Sequence, residues 1–336
     1  MLDDRTQLLK RYTALNDSFR ETLVFRLGDS GGFFSEYNCM LFAMLYCLTH
    51  EVRFILHSEG GNFACNRGWS DYFEPFCDTF RGNSIVHSLH TYANFRPFGL
   101  DGSIIGQGWR WHLKKRILNG LAQAYRRLSR CNVYFTQDLW RFFYDAEAFS
   151  ANYNIPELGI KDEKISSVLG KLARITWCFN KCTNQRIATL TSTLSLPPNY
   201  ASCQIRGGDK ILEARLHTVI PYMEYFKKRS WKDVFVLTDD YTIIEQLLRY
   251  YGDYCFYTFC TPVERGYFHR SFSRIGRNER CEQLLRLFAS VDIMSRSALF
   301  LGTTTSNPSI FMNLIRPEIS KSVDSDQNMI YLYFNR

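Results

Sequence analysis

The sequence predicts an α/β protein of two domains, with a parallel sheet covered by helices in its C-terminal half. Three observations lead to this fold class. The chain of 336 residues exceeds what one small core needs. Strand-like and helix-like segments alternate along it, and the Pro197-Pro198 pair interrupts the alternation. We therefore expect one domain over residues 1–196 and a second over residues 197–336.

The N-terminal domain is predicted to start with a strand, a glycine-rich break and an apolar helix. The strand covers residues 22–27, the break residues 28–32 and the helix about residues 35–48. A second strand is predicted at residues 53–56. Two further helices are predicted from their sequence patterns, over residues 109–130 and 138–149.

The C-terminal domain is predicted to be a βαβ series. The predicted strands are 200–205, 233–238 and 298–302, and the predicted helices are 218–229, 241–251 and 279–295. Polar residues follow each strand. Because ligands of such sheets bind at the carboxyl ends of the strands, we expect a ligand site there.

Residues 203–217 are the most informative stretch of the chain. A short strand ends at Arg206, two glycines follow, and Asp209, Lys210 and Glu213 come next. Glycines let main-chain amides approach an anion, and an arginine fork pairs with its oxygens. A nearby carboxylate suits acid–base chemistry. We interpret the stretch as a diphosphate clamp beside a general base, with a charged surface loop as the alternative.

Composition indicates a globular chain: 46% of the residues are hydrophobic, and the net charge is +8. The densest basic patches, 114–116 and 126–127, are interpreted as a solvated helix face rather than a nucleic-acid groove. Eleven cysteines without a Cys-x-x-Cys pair are interpreted as buried thiols of a reducing compartment, disulfides of a secretory lumen being the alternative.

The start of the chain lacks the apolar core of a signal peptide, and no run of 18 apolar residues occurs. We therefore expect a cytoplasmic protein without a membrane segment, or a Golgi-lumen enzyme if the chain is a trimmed catalytic domain.

No His, Cys, Asp or Glu cluster has the spacing of a metal site. Asp239-Asp240 resembles the acidic metal pair of many sugar transferases, but such a pair can also hold a turn by bonds to the main chain. We expect no metal.

The motifs, in their order and spacing, resemble the α1,6-fucosyltransferase family, which includes the animal core N-glycan enzymes and the rhizobial nodulation enzymes. The matching segments are 31–38, 54–58, 68–75, 204–210 with Glu213 and His217, 238–240, 303–307 and 316–334.

The resemblance implies a two-domain GT-B-like glycosyltransferase with a Rossmann-like donor domain in its C-terminal half. It implies inverting, metal-independent transfer of fucose from GDP-fucose to an oligosaccharide or glycoprotein-glycan hydroxyl, such as O6 of N-acetylglucosamine. No cofactor beyond the donor is implied. The N-terminal domain would be the acceptor side and supply the first donor loop, and the C-terminal segment would pack back on it.

The resemblance also assigns roles to residues. Glu213 matches the general base, Arg206 the phosphate fork, and Lys210 and Asp209 the residues that hold the geometry. The implied donor-binding residues are Gly32, Phe33, Arg206, Asp239, Asp240, Asp292, Thr305 and Ser306. Asp292 is the expected guanine contact, and Ser290 is the competing match.

The sequence departs from the family pattern in three places. Gly207 replaces a second arginine, Gln204 replaces a histidine, and residues 33–36 differ in the first loop. A different nucleotide sugar therefore stays an alternative, as does an inactive carbohydrate-binding relative. Gly207→Arg is expected to tighten binding of the donor diphosphate if the family's second arginine is simply missing. If the glycine is required at this position, the new side chain should clash and weaken binding.

Overall fold

The computed structural model describes residues 2–28, 32–81, 117, 133–136, 150–207, 218–266, 272 and 275–325. Contacts divide the chain into two compact units, Met1–Cys178 and Phe179–Arg336. They are named unit 1 and unit 2 and are described one at a time.

Unit 1 begins with alternating helices and strands, and the elements below are those of its described residues. The helices are α1 (Leu2–Ser18), α2 (Phe33–Thr49) and α3 (Ile165–Thr176). The strands are β1 (Glu21–Arg26), β2 (Val52–His57), β3 (Val133–Thr136), β4 (Asn152–Ile155) and β5 (Ile160–Lys164). Strands β2, β1 and β3 form a parallel sheet in that order, and β4 and β5 form an antiparallel pair.

The predicted strand–helix–strand beginning of unit 1 is confirmed as β1, α2 and β2, with nearly the same bounds. Two helices were predicted over residues 109–130 and 138–149. Except for residue 117, these ranges lie outside the described residues. Helix α2 is apolar on every side and 13 of its 17 residues are buried, as expected of a helix surrounded by core. Burial of each large side chain contributes about 1.5–3 kcal/mol, so the start of α2 is firmly held.

Unit 2 continues the alternation. Its helices are α4 (Lys181–Ser192), α5 (Ile220–Lys228), α6 (Tyr241–Tyr250), α7 (Arg277–Arg296) and α8 (Asn307–Ile315). Its strands are β6 (Ala201–Ile205), β7 (Asp233–Thr238), β8 (Cys255–Tyr257), β9 (Leu299–Gly302) and β10 (Ser320–Ser322).

The five strands of unit 2 form one parallel sheet in the order β10-β9-β6-β7-β8. The predicted α/β class, with a Rossmann-like parallel sheet in the C-terminal half, is confirmed. The chain leaves β6 toward β7 and later returns to β9 on the other side of β6, so the strand order reverses between β6 and β9. Strands β8 and β10 were not predicted, because three residues are too few to show a period.

Helix α4 belongs to unit 2. Arg186 on α4 pairs with Glu282 on α7, and the Phe179 ring lies 5.8 Å from the Phe288 ring. The domain boundary expected at Pro197-Pro198 therefore falls inside this unit. The prolines interrupt the local pattern, whereas the unit is defined by packing between segments far apart in sequence.

The cysteines differ from expectation at two positions. Cys65 and Cys281 each take part in a disulfide, whereas the buried Cys47 and Cys203 are free thiols. None of the described helices combines the length and apolar content needed to cross a membrane.

Candidate functional site

The strands of unit 2 end at one edge of the sheet, named here the carboxyl edge. Ile205 of β6 is level with Thr238 of β7, and Ser322 of β10 is level with Gly302 of β9. The loops that follow these strands therefore begin side by side. The polar segments that the sequence placed after β6, β7 and β9 do converge, at the edge where α/β sheets bind ligands.

A carboxylate of the loop after β7 holds Arg206 and Gly207. Asp239 Oδ1 accepts the Gly207 N–H at 2.8 Å, and Asp239 Oδ2 lies 3.7 Å from Arg206 Nη1. The Arg206 and Asp239 side chains are 26% and 16% exposed, so the guanidinium is oriented where water screens charge less. The glycine amide, expected to approach an anion, instead donates to Asp239. That part of the predicted clamp is corrected.

Gly207 has no space for a side chain. A Cβ at this position would lie 2.7 Å from Asp240 Cβ and 3.0 Å from Asp240 Oδ2. Asp240 is itself fixed as the N-cap of α6, where its Oδ1 accepts the N–H and the hydroxyl of Thr242 at 2.9 and 2.8 Å. Of the two outcomes expected for Gly207→Arg, the structure favours the clash, because a close neighbour requires the glycine.

Hydroxyl groups that converge on Gln204 of β6 shape the loop after β9. Gln204 is buried, and its Oε1 accepts the hydroxyls of Ser306 and Ser309 at 2.6 and 2.7 Å. Ser309 Oγ also accepts the Thr303 N–H at 3.3 Å. Gly302 permits this approach, since a Cβ there would lie 2.6 Å from Ser309 Cβ. The Ser306 hydroxyl donates within the protein, and its predicted contact with a ligand stays a prediction.

Asp324, which follows β10, holds the same loop from its other side. Its carboxylate accepts the N–H and the hydroxyl of Thr304, each at 3.0 Å, and also the Ser322 hydroxyl. No sequence pattern pointed to Asp324, because only the pairing of β10 with β9 brings it to the loop. It fixes the main chain just before Thr305.

Thr305 supplies a main-chain donor at this edge. The N–H groups of Thr303, Thr304 and Ser306 donate to Ser309, Asp324 and the Thr303 carbonyl. Among the described residues, the Thr305 N–H donates no hydrogen bond. A strand-end amide of this kind is suited to an anion, so the predicted role of Thr305 fits its position.

Asp292 lies at the opposite, amino edge of the sheet. The carbonyl of the next residue, Ile293, accepts the hydroxyl of Tyr200, which precedes β6, at 2.8 Å. Burial raises the pKa of Asp292, and its ion pair with Arg296 lowers it. Ser290, the competing residue, is buried and donates its hydroxyl to a carbonyl one turn earlier. The structure therefore does not bring Asp292 to the carboxyl edge, and its role as the guanine contact stays a prediction.

Gly32 and Phe33 stand at the start of α2 in unit 1. Gly32 is the N-cap, with extended dihedral angles of −73° and 152°. The Phe33 ring is buried and stacks with Phe73 and Tyr37, at centroid distances of 6.0 and 5.8 Å. Because the ring belongs to the core, any contact of Phe33 with a ligand is limited to its main-chain amide.

Asp209, Lys210 and Glu213 lie outside the described residues, so their roles stay predictions. Among the residues that are described, no group of three or more His, Cys, Asp or Glu is arranged to hold a metal ion. Asp239 and Asp240 instead accept hydrogen bonds from nearby loops and the start of α6. Holding a turn was the alternative that the sequence left open for this pair.

The fold and the carboxyl edge together define an α/β protein with an open, doubly wound parallel sheet. A doubly wound parallel sheet carries an oriented arginine and a hydroxyl-rich loop on either side of the point where its strand order reverses. Phosphate groups of nucleotides bind at such points in open α/β sheets.

The fold is shared with a crystal structure of the NodZ α1,6-fucosyltransferase soaked with GDP-fucose. The TM-score is 0.50 at 14% identity, over 89% of this chain and 93% of that chain. At this identity the likeness concerns the fold, and it confirms the predicted GT-B-like class.

Two further solved structures are similar at lower scores. Fucosyltransferase NodZ from Bradyrhizobium has a TM-score of 0.47 at 14% identity, over 88% of this chain and 93% of that chain. A variant of Arabidopsis thaliana FUT1 in complex with GDP has a TM-score of 0.48 at 11% identity, over 93% of this chain and 73% of that chain. No family model and no curated protein sequence matches the chain.

Proposed function

We propose that this chain is an inverting, metal-independent glycosyltransferase that moves fucose from GDP-fucose to a hydroxyl of an oligosaccharide acceptor. One observation carries the proposal. The oriented guanidinium of Arg206 and the Thr305 amide lie on loops that begin side by side at the carboxyl edge. The similar NodZ structure was soaked with GDP-fucose, which supports this donor.

The proposed chemistry needs positive groups opposite the leaving diphosphate. Sugar transfer passes through an oxocarbenium-like state, and GDP departs with negative charge. Donors fixed in advance stabilise such charge without reorganising during the reaction. Arg206 would supply a charged fork, which Asp239 orients, and Thr305 would supply its main-chain N–H. The predicted role of the Gly32 and Phe33 amides rests on the family resemblance alone.

The carboxylates near this edge support metal-independent chemistry. Asp239 accepts from Gly207 and lies beside Arg206, and Asp240 accepts from Thr242. A divalent cation prefers several carboxylate oxygens that turn toward it, so it would have to displace these hydrogen bonds. We therefore assign both aspartates to holding the loops around the diphosphate.

The proton of the acceptor hydroxyl needs a base. The resemblance of residues 204–217 to the fucosyltransferase motif supports Glu213 in this role, with Lys210 and Asp209 holding the geometry. A general base at this position would act on the face of the sugar opposite GDP, which accounts for inversion.

A different nucleotide sugar is the second candidate. The contact of Gly207 with Asp240 favours it, because no side chain fits where the family pattern has a second arginine. The diphosphate would then be bound with one arginine fewer from this turn.

A melting-temperature screen against GDP, UDP and ADP tests the proposed function. A ligand at about 100 times its Kd stabilises the fold by about 2.7 kcal/mol, so GDP should raise the Tm and the other two should not. Hydrolysis of a panel of nucleotide sugars then identifies the sugar. A shift with UDP but not with GDP would overturn the proposed donor.

A further inference from the structure

The segment of residues 259–266, which follows β8, lies along the loop after β7. The Tyr241 N–H donates to the Glu264 carbonyl at 2.8 Å, and the Gly266 N–H donates to the Asp239 carbonyl at 2.8 Å. Between these bonds, Arg265 pairs with Asp240 as an antiparallel bridge. The segment therefore fixes the main chain of the two aspartates that contact Arg206 and Gly207.

An ion pair anchors this segment to helix α7. Arg286 donates through Nη2 to Glu264 Oε1 at 3.1 Å and through Nη1 to Glu264 Oε2 at 3.3 Å. Arg286 Nη1 also lies 3.3 Å from the Phe259 carbonyl. Glu264 Oε2 accepts the Thr261 N–H at 2.6 Å and its hydroxyl at 2.9 Å. The Glu264 carboxylate therefore accepts hydrogen bonds both from the turn at Thr261 and from helix α7.

The pair is protected from water more than the neighbouring pair of Arg265 with Glu245. The side chains of Arg286 and Glu264 are 28% and 30% exposed, against 52% and 51% for Arg265 and Glu245. Bidentate pairing restricts geometry as well as supplying energy. We therefore expect it to restrain the position of residues 264–266, where an exposed pair would contribute little.

We propose that Glu264 and Arg286 form a clasp that positions the diphosphate-binding turn from outside the site. The contacts run from Arg286 to Glu264, through the main chain of residues 264–266 to Asp239 and Asp240, and from Asp239 to Arg206 and Gly207. The clasp thus deepens the proposed function and rests on it. Both are positioning residues, since they reach the donor only through other residues.

Hydrogen exchange of the ligand-free protein tests the positioning directly. In Glu264→Gln, exchange of the Gly207, Tyr241 and Gly266 amides should rise about tenfold, because local opening governs it. The control is Glu282→Gln, which removes a carboxylate from an ion pair on the same helix, with Arg186 of α4. It should leave these three amides unchanged. An equal rise over all of unit 2, or no rise at Gly207, overturns the clasp.

Donor binding gives a second readout. The Kd for GDP and the KM for the donor should rise about tenfold in Glu264→Gln, less than the roughly 10²-fold that a 1 Å misplacement can cost. Arg286→Lys keeps the positive charge, so its Kd and KM should rise less than those of Arg286→Gln. This series also replaces Glu264→Gln if that variant does not fold. An unchanged Kd in every variant overturns the clasp.

The two proposals fail in different ways. If the unaltered protein binds no GDP, the proposed donor is wrong, whereas the exchange measurement still decides whether the clasp holds the Arg206 turn. If the unaltered protein binds GDP and the variants bind it equally well, only the clasp is wrong.

Discussion

The turn after β6 and the loop after β9 begin at the same edge of one sheet but are held by different chemistry. Charged groups surround the first, where Arg206 lies 3.7 Å from Asp239. Short hydrogen bonds order the second, where Gln204 accepts two serine hydroxyls at 2.6 and 2.7 Å and the Asp324 carboxylate accepts from Thr304. In the first, Asp239 orients a guanidinium, whereas in the second the hydrogen bonds fix the shape of a loop that carries no cationic side chain from residues 303–307. The difference suggests that the β6 side supplies charge and the β9 side supplies shape.

Glu213→Gln should show whether the chemistry belongs to the β6 side. We expect turnover to fall about 10²- to 10⁴-fold, because the amide cannot take a proton, while GDP affinity stays the same. Stopped assays of fucose transfer and calorimetry with GDP measure the two effects. Loss of donor binding together with turnover would make Glu213 a binding residue, with His217 the next candidate for the base.

Arg206→Ala should remove the charge of the β6 turn. We expect a loss of roughly 2–4 kcal/mol of transition-state stabilisation and weaker GDP binding, since a charge-assisted contact in a partly dry site is lost. The ratio of kcat/KM values gives the first quantity. Near-normal activity would show that Arg206 is not the phosphate fork.

Gly207→Ala should distort the same turn without changing its charge. The added methyl group would lie 2.7 Å from Asp240 Cβ. Overpacking of this kind lowers the free energy of unfolding by roughly 1–3 kcal/mol. Gly252→Ala is the matched control, because its nearest contact would be a carbonyl at 3.8 Å. Tighter GDP binding by Gly207→Ala or Gly207→Arg would contradict the close packing seen here.

Gln204→Leu should disturb the shape of the β9 loop. Two buried hydroxyls would lose their acceptor, which costs about 1–3 kcal/mol of unfolding free energy. Gln185→Leu, at an exposed position on α4, controls for the change of residue type. Chemical denaturation of both variants measures the difference, and equal stability would show that the two serines find other partners.

Chelation should have the smallest effect. We expect transfer to be unchanged by EDTA, because fixed donors would carry the charge of the leaving group on both sides of the edge. Rates with and without added Mn²⁺ or Mg²⁺ measure this. A strict requirement for either ion would move Asp239 and Asp240 into a metal site.

The strands and helices of the βαβ series were predictable because each is a local run with its own period and its own breaking residues. The convergence of their polar ends was predictable too, since the carboxyl ends of parallel strands share one edge. The position of Asp292 was not predictable, because matching motifs by their order ignores the length of a helix. Helix α7 has 20 residues and rises 1.5 Å for each, so its two ends lie at opposite edges of the sheet.

By itself, the sequence of this protein determined the alternation of strands and helices and the chemistry of the loops at one edge of the second sheet. Only the tertiary structure decided which groups restrain those loops. Gln204 meets Ser306 across 102 positions, and Asp324 reaches Thr304 through the pairing of a three-residue strand. The ion pair of Glu264 with Arg286 and the close packing of Gly207 against Asp240 also join residues that are far apart in sequence. These contacts depend on register and on close packing between distant segments, and no local pattern of residues encodes either.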